Sequence, residues 1–442
     1  MNEERTKILE MLQQGQITVE QANRLLEALE QSLTAEAPPE KREPEPAEDP
    51  GTDWGAFGRN LAEQIKREMG GMVQMIEQHA AQITARPPKP PRPPLPPHPR
   101  RPAHRGPGVL LTSLEGGDWL EELRVECTSG AIEFVGTDEA EVRVLGYGQN
   151  ARVRPGESGW ESALPWNSQR EESRLVLTLG SAQDPKATDG LAFRVEVPCA
   201  TRVSAETGGG DMSAASLGRD VSLTTRGGNL SCADIEGTVT LDTAGGNLDV
   251  NDVEGRVALT TRGGDVSVND VEGDVTTDTG GGNVSLQDVQ GSVTAHSGGG
   301  NVGVQDVEGD VRADTGGGDM HLHDISGAVE ARTGGGNVGL SDISGNVTAH
   351  TGGGDMSFKD ITGEVSGRTG AGNLRLSDVE GQVTVETGAG DISFEDITGS
   401  VFGRTGVGNI RIRGVDGDAT VDTGLGRISA SDVSGEVKHH SG

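Results

Sequence analysis

The pattern of apolar and polar positions repeats every 18 residues from Val203 onward. Apolar and polar residues alternate within each unit, which is typical of strands whose two faces differ. A short fixed period with this alternation predicts a parallel β-solenoid in which each repeat forms one coil, called a rung below. The rungs follow one another without insertion and begin at Val203, Val221, Val239, Val257, Val275, Val293, Val311, Val329, Val347, Val365, Val383, Val401 and Ala419, with a fragment at Val437.

Positions in a rung are numbered here as places one to eighteen, so that Val275 is place one of its rung. Places one, ten, twelve and fifteen are apolar and are predicted to point inward, as in Val275, Val284, Leu286 and Val289. Place three is often Ala or Gly, which predicts a thin side of the coil. Stacked rungs lie about 4.8 Å apart, so the repeats predict a rod of about 60 Å.

Other places repeat polar or small residues. Place eight is always Gly, which predicts a tight corner where a side chain would clash or the backbone would need a positive φ. Place nine is mostly Asn or Asp and place five is Thr or Ser, which predicts an amide ladder and a hydroxyl ladder along the axis. Acidic and basic residues mostly alternate at place four, which avoids stacking like charges. The Asp of place fourteen, such as Asp288, is predicted to cap a turn.

The first 53 residues divide into two predicted segments. Residues 1–32 carry two apolar stripes at helical spacing, separated at Gly15, and predict a helical hairpin. "TVEQ" at 18–21 is a capping box for its second helix. So short a unit buries little surface alone, so we expect it to pack on a partner or on a copy of itself. Residues 33–53 are acidic and rich in Pro, which predicts a disordered linker.

Residues 54–108 predict a helix followed by an extended arm. Apolar residues recur every three or four positions over 54–85, which predicts an amphipathic helix. This helix either packs within the protein or with a copy of itself, or lies at a membrane interface, although its glutamates oppose binding to anionic lipid. Residues 86–108 are rich in Pro and basic, which predicts a semi-rigid polyproline II arm.

Strands are predicted throughout the remainder of the chain. Residues 109–202 alternate apolar and polar residues without a regular period and are interpreted as irregular first coils that also cap the N-terminal end of the solenoid. Residues 203–442 form the regular repeats. The fold class is therefore mainly β, a parallel β-solenoid preceded by a small helical hairpin and a tethered amphipathic helix.

Composition narrows the partners and the compartment. The formal net charge of -32 argues against nucleic acid as a partner, because phosphates would be repelled. The three cysteines, Cys127, Cys199 and Cys232, are far apart and indicate reduced thiols. The first residues lack a secretory signal, and no apolar run is long enough to span a membrane. We therefore expect a cytoplasmic protein, with peripheral contact at the membrane through residues 54–85 as an option.

No chemical site is assigned from the sequence. The repeat "GGGNVSLQD" lacks the second glycine of calcium-binding nonapeptides and places Asp differently, so bound calcium is not expected. His321 and His323 form an HxH on one strand face, but the same places of neighbouring rungs offer no third ligand, so a solvated pair is favoured over a metal site. Nucleophile, phosphate-loop and dinucleotide motifs are missing from a fitting context. We expect no enzyme activity, no cofactor and no metal.

Two stretches resemble known families. "MNEERTKILEMLQQGQITVEQANRLLEALE" resembles the SHOCT-like N-terminal hairpin of YvlB- and LiaX-type bacterial proteins. "GDVTTDTGGGNVSLQDVQG" resembles the β-strand-repeat domain of candidate adhesins that often follows that hairpin. The resemblance implies a bacterial, non-enzymatic protein with a role in adhesion or in sensing envelope stress.

Three functions remain open on the sequence. The leading interpretation is a non-enzymatic, adhesin-like β-solenoid scaffold of the cell envelope. The alternatives are a self-assembling cytoskeletal polymer of the bactofilin kind and, less favoured, a glycan-processing enzyme. Because the sequence stops at "VKHHSG", the last rung at 419–436 is expected to be an open edge that pairs with a second copy. Self-association is thus expected through that rung and the helical hairpin.

Overall fold

The computed structural model describes residues 109–115, 119–148, 166–180 and 191–441. The predicted hairpin, linker, amphipathic helix and basic arm lie outside the described residues. None of the described residues belongs to a helix that could cross a membrane. The regular structure described below consists of strands.

Each rung contributes one strand to each of two parallel sheets. Sheet 1 contains the strands at places one to five, which are β8 (Arg202–Thr207), β10 (Val221–Thr225), β12 (Val239–Thr243), β14 (Val257–Thr261), β16 (Val275–Thr279), β18 (Val293–Ser297), β20 (Val311–Thr315), β22 (Val329–Thr333), β24 (Val347–Thr351), β26 (Val365–Thr369), β28 (Val383–Ala389), β30 (Val401–Val407), β32 (Ala419–Leu425) and β34 (Val437–Ser441).

Sheet 2 faces sheet 1 across the interior and begins at place ten of each rung. Its strands in the regular repeats are β9 (Met212–Leu217), β11 (Leu230–Ile235), β13 (Leu248–Val253), β15 (Val266–Val271), β17 (Val284–Val289), β19 (Val302–Val307), β21 (Met320–Ile325), β23 (Val338–Ile343), β25 (Met356–Thr362), β27 (Leu374–Glu380), β29 (Ile392–Thr398), β31 (Ile410–Val415) and β33 (Ile428–Val433). Strands β8 to β33 thus form 13 rungs, and the predicted parallel β-solenoid is confirmed.

Seven further strands precede the regular rungs and stack in an order that differs from their order in the chain. They are β1 (Val109–Glu115), β2 (Glu122–Cys127), β3 (Ala131–Thr137), β4 (Glu141–Gly148), β5 (Trp166–Glu171), β6 (Arg174–Leu179) and β7 (Leu191–Pro198). Strands β2 and β3 lie parallel and directly against β8 and β9, and β6 and β7 lie on the other side of β2 and β3. Strands β4 and β5 then pair antiparallel with β7 and β6, and β1 pairs antiparallel with β4.

The register between regular rungs is a shift of one whole repeat. Val275 pairs with Val293 in sheet 1, and Val284 pairs with Val302 in sheet 2. The amide of Val284 donates to the carbonyl oxygen of Asn301 at 2.9 Å. Each residue therefore stacks on its equivalent in the next rung, so a residue type repeated at one place forms a ladder along the axis.

The interior contains the places predicted from the sequence and two more. Val275, Val284, Leu286 and Val289 are all buried. Places three and five are buried as well, because side chains alternate along the strand of sheet 1. Place five is a buried Thr or Ser in each rung from 203 to 436, so the core includes a column of hydroxyl groups.

Residue sizes at places three and twelve compensate each other. Glycine occupies place three at Gly367 and Gly403, and a Cβ on Gly367 would lie 3.0 Å from the ring of Phe358. Leucines occupy place three where place twelve of the preceding rung is small, in the pairs Ala214 with Leu223, Cys232 with Leu241 and Val250 with Leu259. The side predicted to be thin is therefore filled from the opposite sheet, which keeps the interior closely packed.

The corner at places five to nine joins adjacent rungs by side-chain hydrogen bonds. The hydroxyl of Thr279 donates to the carbonyl oxygen of Gly264 in the previous rung at 2.9 Å, and it accepts from the amide of Gly282 at 3.2 Å. The predicted hydroxyl ladder is present as this buried column of place five, and its hydroxyls bond the backbone of the corner. A Cβ on Gly282 would overlap the carbonyl oxygen of Gly264, so Gly is required there by close approach and not by φ.

The amide ladder at place nine also uses the backbone. The side-chain oxygen of Asn283 accepts from the backbone amide of Asn301 at 2.9 Å, and Oδ1 of Asp265 accepts from the backbone amide of Asn283 at 2.7 Å. An aspartate can fill this place as well as an asparagine because the bond between rungs needs only an acceptor. Some asparagines add a second bond through their side-chain nitrogen, as Asn283 does to Asp265 at 3.2 Å.

Place fourteen has a left-handed backbone. Asp288 has φ 53°, Asp234 has φ 58°, and the same place is Gly414 with φ 67° in a later rung. Aspartate, asparagine and glycine tolerate this conformation better than other residues. The Asp predicted to cap a turn therefore marks a left-handed bend inside the strand of sheet 2.

Candidate functional site

The outward surface of sheet 1 forms an axial groove. Its floor is the column of place-six glycines from Gly316 to Gly406, and its wall is the column of place-four side chains. The groove has a volume of about 930 Å³. Glycine leaves the floor without side chains, so an extended ligand could lie along the axis in contact with backbone.

Charges along this groove are mostly paired between rungs. Arg368 donates to Glu386 at 2.7 Å, and Arg404 lies 3.6 Å from Asp422. Arg312 contacts both Asp314, at 3.2 Å, and Glu330. Opposite charges at place four, and at place two for Arg312 and Glu330, therefore form ion pairs along the axis, which favour one register over a slipped one.

His323 on sheet 2 lies between two carboxylates. Its Nε2 is 3.0 Å from Asp324 Oδ2 and its Nδ1 is 3.0 Å from Asp342 Oδ2. Nδ1 is also 2.9 Å from the hydroxyl of Ser341. These three groups are close enough to share one cation, yet each contact is also an ordinary ion pair or hydrogen bond on an exposed surface. The expectation that His321 and His323 form no metal site stays a prediction.

Sequence reasoning missed these carboxylates for a geometric reason. It compared places eleven and thirteen of neighbouring rungs, where Gly303, Gly339 and Ser341 offer no strong ligand. The carboxylates come from place fourteen, whose left-handed backbone directs Asp324 and Asp342 to the same side as His323. The sequence shows an Asp directly after His323, but the direction of that Asp side chain depends on the left-handed bend at place fourteen.

The three cysteines are free thiols. Cys127 and Cys232 are buried, and Cys199 is exposed. Burial raises the pKa of the Cys232 thiol far above its usual range, which keeps the thiol protonated and unreactive. Cys232 therefore acts as a small apolar residue in the core.

The outward surface of sheet 2 carries a second candidate region. Arginines converge on the rungs from 365 to 436, where a groove of about 910 Å³ crosses places nine to thirteen. They are Arg375, Arg411, Arg413 and Arg427, and we call this region the arginine face. Sequence reasoning missed it because the arginines are separated along the chain, although reading places nine, eleven and thirteen down the repeats would align them.

Comparison with known proteins gives a family match and four structural likenesses, two of which are described here. Residues 3–32 match the SHOCT-like domain, which confirms that part of the resemblance. No curated protein matches the chain. A candidate cell adhesion protein from Clostridium sporogenes is 10% identical, with a TM-score of 0.25, over 49% of this chain and 98% of its own. A candidate adhesin from Bacteroides fragilis is 12% identical, with a TM-score of 0.17, over 76% of this chain and 99% of its own.

Proposed function

We propose that the chain is a non-enzymatic, adhesin-like scaffold whose solenoid presents long side-chain arrays to a binding partner. One observation carries this proposal: interior places one, ten and fifteen are apolar and place five is Thr or Ser in all 13 rungs, whereas outward places two, four, eleven and thirteen vary in charge and size. Place one is Val in every complete rung but the last, which has Ala419. Place two, on the outside of the same strands, includes Ser, Thr, Arg, Glu and Phe.

The division between inside and outside supports a binding role. A parallel ladder with a closely packed core is a rigid support that tolerates any outward residue compatible with a strand. Binding proteins commonly place variable residues on such a support. The axial groove and the arginine face are two outward regions of the described residues that are concave and charged.

The resemblance of residues 3–32 to the SHOCT-like domain supports a second, separate module for partner binding. The proposal includes membership of the YvlB and LiaX type, a role in envelope stress, and a cytoplasmic or membrane-peripheral location. The proposal also includes self-association through the rung at 419–436 and, on residues that are not described, membrane contact through 54–85 and self-association through the hairpin.

Adhesion of the full chain to envelope material tests the proposal. Beads coated with the protein are mixed with purified bacterial cell-wall sacculi or with vesicles of bacterial lipid, and bound material is measured against protein density. One variant replaces the charged place-four residues by threonine, and another replaces the arginines of the arginine face by glutamine. We expect saturable binding to one probe, loss of binding in at least one folded variant, and recovery of the probe without cleavage. Three results would contradict the proposal: binding to neither probe, binding that is unchanged in both variants, or cleavage of the probe.

A further inference from the structure

The arginine face concentrates positive charge in a strongly acidic protein. The chain has a formal net charge of -32, yet four arginines lie within four successive rungs on one side of sheet 2. Arg375 and Arg411 occupy place eleven, Arg413 occupies place thirteen and Arg427 occupies place nine, and all four are exposed. Such a local reversal of charge attracts an anion that the rest of the protein repels.

Three of these four guanidinium groups form no ion pair within the described structure. Arg413 lies 3.6 Å from Glu395, whereas Arg375, Arg411 and Arg427 form no ion pair with a described carboxylate. The sheet 1 arginines differ, because those at 312, 332, 368 and 404 each contact an acidic side chain. Pairing along the axis therefore explains the arginines of sheet 1 but leaves three on the arginine face available for a ligand.

The spacing of Arg375 and Arg411 defines the ligand further. Arg375 pairs in register with Ser393, and Ser393 pairs with Arg411, so the two arginines are two rungs apart, about 9.6 Å at the usual strand spacing. The short Ser393 side chain leaves the space between them open. Two guanidinium groups at this separation fit two oxyanions on one extended chain, each held by a charge-assisted pair of hydrogen bonds.

Acidic and amide groups alternate with the arginines across the groove. Asp391 lies on the place-nine edge, where its Oδ1 accepts from the backbone amide of Asn409 at 2.6 Å and from the Asn409 side chain at 3.1 Å. Glu395 lies on the other side, next to Arg413. These carboxylates would repel a uniformly anionic surface, whereas they can accept hydrogen bonds from hydroxyl groups placed between discrete anions.

We propose that the arginine face binds a linear anionic polysaccharide along the rod axis, with oxyanions on alternate sugars at Arg375 and Arg411. The intervening sugar lies over Ser393 and offers its hydroxyl groups to Asp391 and Glu395. One sugar of an extended chain advances about as far as one rung, so the polymer and the ladder keep the same register. This inference rests on the proposed scaffold function and assigns it one surface and one class of ligand.

Nucleic acid and membrane fit this surface less well. The outward places of sheet 2 hold no Phe, Tyr or Trp in the rungs from 203 to 436, so bases would lack a large stacking platform. A membrane presents a continuous plane of headgroups, which would bring anions against Asp391 and Glu395. Single-stranded DNA and anionic vesicles are therefore comparison probes in the experiment below.

The experiment measures binding of the full chain to hyaluronate, which carries a carboxylate on every second sugar, and to κ-carrageenan, which carries a sulfate on every second sugar, with neutral dextran as a blank. Because the basic Pro-rich arm could also bind polyanions, all proteins carry glutamine at its six cations, Arg86, Lys89, Arg92, Arg100, Arg101 and Arg105. The test variant is Arg375→Gln with Arg411→Gln. The matched control is Arg368→Gln with Arg404→Gln, which removes the same charge from sheet 1 in the same two rungs. A second test variant, Ser393→Asp, places a negative charge between two intact arginines.

The proposal predicts salt-sensitive binding to at least one of the two polysaccharides and no binding to dextran. Both test variants should weaken binding by about tenfold or more, since charged hydrogen bonds are lost or opposed, while the control stays within about twofold. Absence of polysaccharide binding, or equal affinities for the test and control variants, overturns the proposal. Tighter arginine-dependent binding to vesicles or to single-stranded DNA overturns the polysaccharide assignment. After either of these results, adhesion through the axial groove would still support the proposed scaffold function.

Discussion

Gly403 lies against Phe394: a Cβ on Gly403 would come within 2.8 Å of the ring Cζ. The two residues belong to facing sheets in successive rungs, and the missing side chain at place three makes room for the ring at place twelve. Phe394 is fully buried, so its ring cannot move toward solvent to make room for a side chain at place three. The pair shows that core volume is shared between the two sheets.

This pair predicts a size-compensating double mutant. Gly403→Val should lower the free energy of unfolding by about 1–3 kcal/mol, because the added methyl groups overpack the core. Phe394→Leu alone should also destabilise by leaving a cavity. The double variant should lose less free energy of unfolding than the two single variants lose together, as measured by denaturant unfolding. The reason is that it recreates the Leu376 and Val385 combination of the preceding rungs. Strict additivity would show that the two sites do not share one volume.

Replacement by alanine should affect stability very differently at two adjacent glycines. A Cβ on Gly300 would overlap the carbonyl oxygen of Gly282, whereas a Cβ on Gly299 meets no atom within 4 Å. Gly300→Ala should therefore destabilise the rod by several kcal/mol, well above the roughly 1 kcal/mol typical of point variants. Gly299→Ala should be nearly neutral, because later rungs already place Ala389 and Val407 at the same corner. Thermal unfolding of the two variants compares them directly, and similar losses would contradict the corner geometry.

Strand β16 contains two buried threonines with opposite predicted effects. Thr279 bonds the carbonyl oxygen of Gly264 and the amide of Gly282, whereas the hydroxyl of Thr277 is buried without a partner. Thr279→Val should cost about 1–3 kcal/mol by leaving backbone groups unsatisfied. Thr277→Val should be neutral or stabilising, because it removes an unpaired polar atom. A stabilising Thr279→Val would contradict the role of the hydroxyl in joining rungs.

The left-handed place fourteen predicts a ranking of substitutions at Asp234. Its φ of 58° is tolerated by Asn and Gly, so Asp234→Asn and Asp234→Gly should change the unfolding midpoint little. Asp234→Val should cost about 1–2 kcal/mol, since a β-branched residue is strained in this region. Equal stability of the Asn and Val variants, measured side by side, would show that the bend is not maintained.

The sequence predicted the ladder but not the contacts between places. The period, the inward places and the corner glycine at Gly282 follow from repetition alone, because a place that repeats must stack on itself. The bonding of Thr279 to Gly264 could not be predicted, since it depends on where the corner lies relative to the previous rung. The acids around His323 were missed because a left-handed residue changes the direction of a side chain. The compensation of Phe394 by Gly403 was visible in the sequence only when two places were compared together.

The most direct measurement of the central claim compares two deletions in the full chain. Removal of residues 311–328 takes out one complete rung and joins Asp310 to Val329, which restores the register. Removal of residues 311–319 takes out half as much chain but shifts every later inward residue to a different place. If each 18-residue repeat is one rung, the 18-residue deletion should leave a β-protein that unfolds in one cooperative transition, with an unchanged far-ultraviolet spectrum and a rod shorter by about 4.8 Å. The nine-residue deletion should abolish the cooperative unfolding transition. Equal loss of the unfolding transition in both proteins would contradict the account.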